Sequence, residues 1–264
     1  MLHGISRRFD SACLLKKCRQ GIHGDSDPFL LGGTVSEEQV WPFPSLIMPE
    51  LFIITGSNGA GKSSIGPEYL PTHIRQQGPV FDGDKLFVEK RKELWQSIKS
   101  HKECAKLAYA HVTETFDHLV ETALFGSQDF AYEGHFTNEA TWDIPRQFRA
   151  AGYSIHLIFL GLQDTDLSEL RVVDRSQAGG HYVDPRTIAD NFYGNLEKLN
   201  QHYEMFQTVQ IIDTSGAEHV VLALLRDGRP ANAVPSEMLP QWFQHYLPSI
   251  TKKIRDGEPK FYGE

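Results

Sequence analysis

Leu51-Phe52-Ile53-Ile54-Thr55-Gly56-Ser57-Asn58-Gly59-Ala60-Gly61-Lys62-Ser63-Ser64 is the stretch that decides the fold. Its first five residues are an apolar, β-prone run of strand length. The next eight match GxxxxGK[ST], the phosphate-binding loop. Glycines let the backbone curl until successive N–H groups point inward at phosphate oxygens. Lys62 is placed to reach the β- and γ-phosphates, and the Ser63 hydroxyl to sit on Mg²⁺. The sequence predicts a helix over 61–76, short or broken because of Pro67 and Pro71. Its N-terminal N–H groups would add to the cradle. Gly56 through Ser64 are therefore the expected ATP-binding residues.

Outward from this loop, strand-like and helix-like stretches alternate. Strands are expected at 51–55, 79–82, 129–133, 153–161 and 208–213, with a sixth at 219–225 and a turn at 227–230. Helices are expected at 84–125 (as two), 138–151, 164–177, 185–206 and 236–247. This pattern implies an α/β domain, a mostly parallel sheet covered on both faces. Residues 251–264 read as a loose, charged tail, so the folded domain is expected over 49–250.

Residues 1–48 read differently. The first 49 residues carry five basic and five acidic side chains, so the whole net charge of −8 lies beyond them. Glycines and prolines interrupt every period there. This segment is open to several readings: an upstream-extended start, a flexible arm, a targeting segment or an extension packed on the domain.

Composition narrows the function classes. An acidic chain of 264 residues with 23% charged residues is globular and a poor general binder of nucleic acid. Cys13, Cys18 and Cys104 are too few for a disulfide framework and read as reduced thiols, implying the cytoplasm. No apolar run approaches a membrane span.

In open α/β sheets the site lies beyond the carboxyl ends of the strands. There the sequence puts Asp82 and Asp84 after the second expected strand, and Glu133 with His135 after the third. Phosphoryl transfer needs charge neutralisation, alignment and a carboxylate to take the acceptor proton. Asp84 is the expected base, with helix capping as its structural alternative. Glu133 is expected to position the acceptor or hold water on Mg²⁺, and Asp82 is the alternative for either task. Arg171 and Arg175, one helical turn apart, form an expected phosphate clamp beside Gly179-Gly180 and His181. The stretch 86–125 is expected to line an acceptor pocket, with two amphipathic helices packed on the sheet as its structural alternative.

The loop, Asp82-x-Asp84, Glu133-Gly134 and Arg171-x3-Arg175-x3-Gly179-Gly180-His181-x-Val183-x-Pro185, with the helix carrying Asn195-Leu196, together resemble the zeta-toxin-like P-loop kinases over residues 50–215. The resemblance implies a nucleotide- or shikimate-kinase-like three-layer sandwich with an arginine-bearing lid. It implies ATP and Mg²⁺ as cofactors and an antitoxin-like protein partner. It also implies transfer of the ATP γ-phosphate to a small-molecule hydroxyl, in the characterised toxins the 3′-hydroxyl of UDP-N-acetylglucosamine. By position it gives Asp84 as base, Lys62 and Ser63 on phosphate and metal, Arg171 and Arg175 as the clamp, and Glu133, His135 and His181 on the acceptor side. One departure is His135-Phe136-Thr137-Asn138, with no arginine, where the toxins often carry a further basic or polar acceptor contact. The competing class is an ATP-driven switch. No NKxD guanine motif or LSGGQ-like signature supports a GTPase or an ABC-type ATPase.

Overall fold

The computed structural model describes residues 48–177 and 182–258. The chain divides into two units, residues 1–47 and 48–264, and the first lies outside the described residues, as do His181, Gly179-Gly180, Cys13 and Cys18. In order, the second unit contains β1 (Glu50–Gly56), α1 (Thr72–Gln77), α2 (Gly83–Ile98), α3 (His101–Gly126), β2 (Phe130–Glu133), α4 (Asp143–Ala150) and β3 (Ser154–Gly161). Then come α5 (Thr165–Gln177), α6 (Pro185–His202), β4 (Thr208–Asp213), β5 (Val220–Arg226), β6 (Arg229–Ala233), α7 (Gln241–Tyr246) and α8 (Pro248–Gly257).

The six strands form one sheet in the order β2-β1-β3-β4-β5-β6. The first four run parallel, and β5 and β6 are antiparallel additions at one edge. β1 and β3 are the inner two of the four parallel strands, so both of their faces need apolar cover. Leu51, Ile53 and Ile54 of β1 and Leu160 of β3 are fully buried. The chain leaves β1 for β2 on one side and returns to β3 on the other, which makes the end of β1 the switch point where α/β sheets bind ligands. The loop after β1 therefore sits where nucleotide binding requires it.

Four local expectations are corrected. Residues 79–82 form no strand: only Phe81 bridges to Tyr132, because Pro79 has no N–H to donate. The helix over 61–76 is broken, as Pro67 and Pro71 predict, but the helix expected directly behind the loop is replaced by a turn at Gly61 and a 3₁₀ segment Gly66–Tyr69, with α1 beginning only at Thr72. Pro67 and Pro71 remove the N–H groups that would continue an α-helix, so a helix dipole contributes little behind this loop. The terminal helix over 236–247 is split into a 3₁₀ turn Ser236–Met238 and α7. The expected loose tail is helical as far as Gly257, since Ile250, Thr251 and Ile254 bury one face of α8; residues 259–264 lie outside the described residues. The expected pair of helices over 84–125 is present as α2 and α3. Lys99, in the left-handed region at φ 53°, ends α2, and Ser100 caps α3.

Candidate phosphate and acceptor site

Gly56 ends β1 at φ 141°, and a Cβ there would lie 2.2 Å from the Leu160 carbonyl oxygen. Only glycine lets the chain turn off the sheet so close to β3. The loop it opens is held from outside. Ser168 Oγ of α5 donates to Asn58 O at 2.5 Å, and Thr214 Oγ1, just past β4, approaches Ala60 O at 3.1 Å. Asn191 Nδ2 of α6 donates to Asn58 Oδ1 at 2.8 Å.

Lys62 folds back over its own loop, with Nζ donating to Gly56 O at 3.1 Å and Ser57 O at 3.0 Å. Burial lowers its pKa and Arg175 adds to this, while Glu133, Asp84 and Asp82 oppose the shift. Those four side chains therefore share the electrostatic neighbourhood of the lysine. Ser57 Oγ is buried with no partner among the described residues.

Ser63 Oγ lies 2.9 Å from Asp82 Oδ2 and 2.9 Å from Glu133 Oε2. A hydroxyl owns one proton and cannot donate to two carboxylates together. The Glu133 carboxyl is pushed up to about 7, first by burial and then by Asp82, against Lys62 and the Ser63 hydrogen bond. A shared proton here or a cation between the oxygens relieves the conflict.

Asp82 is the N-cap of α2: its Oδ1 accepts Lys85 N–H at 3.0 Å. The capping role weighed for Asp84 thus belongs to its neighbour. Asp84 stands exposed in the first turn of α2 and makes no hydrogen bond among the described residues.

Arg171 and Arg175 both lie on α5 but in different surroundings. Arg171 donates to two backbone carbonyls, Gly59 O at 3.4 Å and Ser215 O at 3.1 Å, tying the phosphate loop to the turn after β4. Arg175 is exposed and acts electrostatically on Lys62.

Past β2, the His135 pKa is pushed down by burial and by Lys62. Its Nδ1 is 3.1 Å from Asn195 Nδ2. Glu139 then accepts from Lys198 at 2.9 Å, Arg146 at 3.0 Å and His202 at 3.2 Å, and these hydrogen bonds hold its carboxyl down at about 2. In the expected acceptor stretch, α2 has no fully buried residue, and Trp95 stacks on His101 with ring centroids 4.2 Å apart. Cys104, Ala108 and Val112 of α3 are buried as packing.

The structure thus gathers Lys62, Ser63, Asp82, Asp84, Glu133 and Arg175 around one end of β1. Sequence reasoning gave no role to Asn191, Asn195, Ser168 or Thr214. The signal for Asn195 was a polar residue on the otherwise apolar face of α6.

Comparison with known proteins agrees with this geometry. The sequence profile of the zeta toxin family matches residues 36–222, more than two thirds of the chain. No curated protein sequence matches. A structure from the PezAT chromosomal toxin–antitoxin system of Streptococcus pneumoniae aligns at a TM-score of 0.50 and 18% identity, over 80% of this chain and 87% of that one. The structure of AvrRxo1-ORF1:AvrRxo1-ORF2 with ATP aligns at 0.55 and 13% identity, over 82% of this chain and 66% of that one. At such identities these two likenesses are of fold. With the loop, its carboxylates and the profile match taken together, the chain belongs to the zeta toxin family of P-loop kinases.

Proposed function

We propose that the protein transfers the γ-phosphate of ATP to a hydroxyl of a small molecule, with the sugar 3′-hydroxyl of UDP-N-acetylglucosamine as the leading acceptor. The observation that carries this reading is the Ser63 hydroxyl set 2.9 Å from each of two carboxylates, one residue from Lys62. That arrangement suits a phosphate-bound cation and the start of an in-line transfer.

The donor set fits Mg²⁺. Among the described residues no group of three or more His, Cys, Asp or Glu could hold a metal ion by itself. Mg²⁺ characteristically takes one or two carboxylates, phosphate oxygens and water. Ser63 Oγ would bind it directly, with Asp82 or Glu133 acting through water. When bound, the ion neutralises charge on the β- and γ-phosphates. Lys62 leaves its loop carbonyls for the phosphate oxygens, while Arg171 keeps the loop in place. Asp84 accepts the proton of the acceptor hydroxyl as its oxygen attacks phosphorus and the bond to the ADP oxygen breaks. Arg175 stabilises the equatorial oxygens in flight. Glu133 and His135 would meet the acceptor, and His181, which lies outside the described residues, takes the same role only by its place in the family motif. An antitoxin-like protein is the proposed partner, on the strength of the PezAT likeness.

The test is a mass-spectrometric acceptor screen with ATP and Mg²⁺, comparing wild type with Asp84→Asn. UDP-N-acetylglucosamine heads a panel of sugars, nucleotide-sugars and nucleosides. A product heavier by one phosphoryl group, made by wild type and not by the variant, supports the kinase reading. ADP release that no acceptor stimulates, and that the variant retains, supports an ATP-driven switch instead.

A further inference from the structure

The buried residues of α6 are Ile188, Phe192, Asn195, Leu196 and Leu199. Asn195 is the polar member, only 1% exposed. A buried amide must satisfy two N–H bonds and a carbonyl oxygen. Asn195 has five neighbours for them, and its two N–H hydrogens serve three acceptors, so the longest contact, to Gly56 O, is a shared one. Its Oδ1 accepts Phe136 N–H at 2.6 Å and Thr55 Oγ1–H at 3.1 Å. Its Nδ2 faces Asn191 O at 2.6 Å, His135 Nδ1 at 3.1 Å and Gly56 O at 3.4 Å.

These partners fix which end of the amide is which. A backbone N–H only donates, so Phe136 must face the oxygen. The carbonyls of Asn191 and Gly56 only accept, so they must face the nitrogen. His135 Nδ1, facing that same nitrogen, is then an acceptor, and the ring proton sits on Nε2. Nε2 is itself buried without a partner among the described residues. His135 lies two residues beyond Glu133, on the stretch that follows β2.

We propose that Asn195 is a positioning residue for phosphoryl transfer: it locks His135 in the Nε2–H tautomer and ties that donor to the base of the phosphate loop through Gly56 O. This rests on the reading above that the stretch after Glu133 faces the acceptor. Asn195 touches no reacting atom. Its second contribution concerns Gly56 O, which it shares with Lys62. When Lys62 turns to the phosphates, Asn195 remains as a donor to that carbonyl, so the loop keeps its anchor.

The test reads the tautomer directly. Long-range ¹⁵N–¹H correlation on histidine-labelled full-length protein distinguishes Nε2–H from Nδ1–H, and His135→Asn assigns the His135 signals by their loss. Wild type is expected to show Nε2–H at His135; finding Nδ1–H overturns the proposal. Asn195→Asp offers a carboxylate oxygen to Nδ1, so the ring proton is expected to move to Nδ1. Phosphoryl transfer is expected to fall at least about tenfold while ATP affinity stays within about threefold. Transfer within threefold of wild type overturns the proposal.

If Asn195→Asp does not fold, His135→Asn decides. Its amide oxygen can accept from Asn195 as Nδ1 does, while the Nε2–H donor is gone. Folded protein with at least tenfold slower transfer supports the tautomer lock, and unchanged transfer overturns it. If wild type phosphorylates no acceptor, the proposed function fails and basal ADP release becomes the rate measured. A tautomer shift with slower ADP release then upholds the role of Asn195, and a shift with unchanged release overturns it.

Discussion

Asp82 holds the Ser63 hydroxyl with one carboxylate oxygen, at 2.9 Å, while its other oxygen caps α2. One side chain therefore joins the phosphate loop to the helix that carries Asp84. Asp82→Ala removes both links and is expected to cost about 1 kcal/mol of stability from the lost cap alone. Asp82→Asn keeps a capping oxygen but loses the charge. It is expected to leave the melting temperature nearly unchanged and to weaken Mg²⁺-dependent ATP binding. Thermal melts alongside ATP titrations with and without Mg²⁺ separate the two effects.

Glu133 gives the protein a pH signature in the absence of Mg²⁺. Its carboxyl is raised from 4.5 to about 7 on folding. The folded state therefore holds this proton more tightly than the unfolded chain. The associated stability is fully present below about pH 4.5 and is lost as pH rises through about 7. Its size is on the order of 3 kcal/mol. Glu133→Gln is expected to flatten the dependence of melting temperature on pH across this window, and so is added Mg²⁺. An identical pH profile in wild type and Glu133→Gln rules this assignment out.

Asp84 is exposed and caps nothing, so its removal has little to disturb in the fold. Asp84→Asn is expected to bind ATP as wild type does and to slow transfer roughly 100- to 10,000-fold. Lys62→Ala is expected to abolish turnover. Wild-type rates in Asp84→Asn would show that another group takes the proton.

The two arginines of α5 should separate kinetically. Arg171 ties a loop carbonyl, Gly59 O, to Ser215 O in the turn after β4, so Arg171→Ala is expected to weaken ATP binding by about tenfold, or roughly 1.4 kcal/mol. Arg175→Ala is expected to lower the transfer rate with little change in ATP affinity. Calorimetric titration and steady-state rates check the split; equal effects on both quantities in both variants argue against it.

Much of the fold was legible because central parallel strands leave near-continuous apolar runs, as in Leu51–Ile54 and Ile155–Leu160. The edges were less so. β6 is an exposed partner strand containing Pro230 and Asn232, with no apolar alternation to reveal it. α8 hides its buried Ile250 and Ile254 among lysines and an arginine. The loop and the carboxylates Asp82, Asp84 and Glu133 were legible because short motifs fix their chemistry and strand ends fix their place. The division of labour between Arg171 and Arg175 was not, since equal spacing on a helix says nothing about which carbonyls each side chain meets. Nor was the junction at Asn195, whose partners lie 59 and 140 residues away in sequence.

Asn191, Asn195, Lys198 and His202 grip Asn58, Phe136 and Glu139 from successive turns of α6. This helix thus behaves as a gauge of fixed length between the nucleotide cradle and the segment after β2. One residue inserted between 191 and 202 would rotate everything beyond it by about 100°, and one of the grips would have to let go. Substitutions on its outer side should be absorbed readily, whereas insertions and deletions should not. In descendants of this chain, α6 is expected to drift in composition while holding its count.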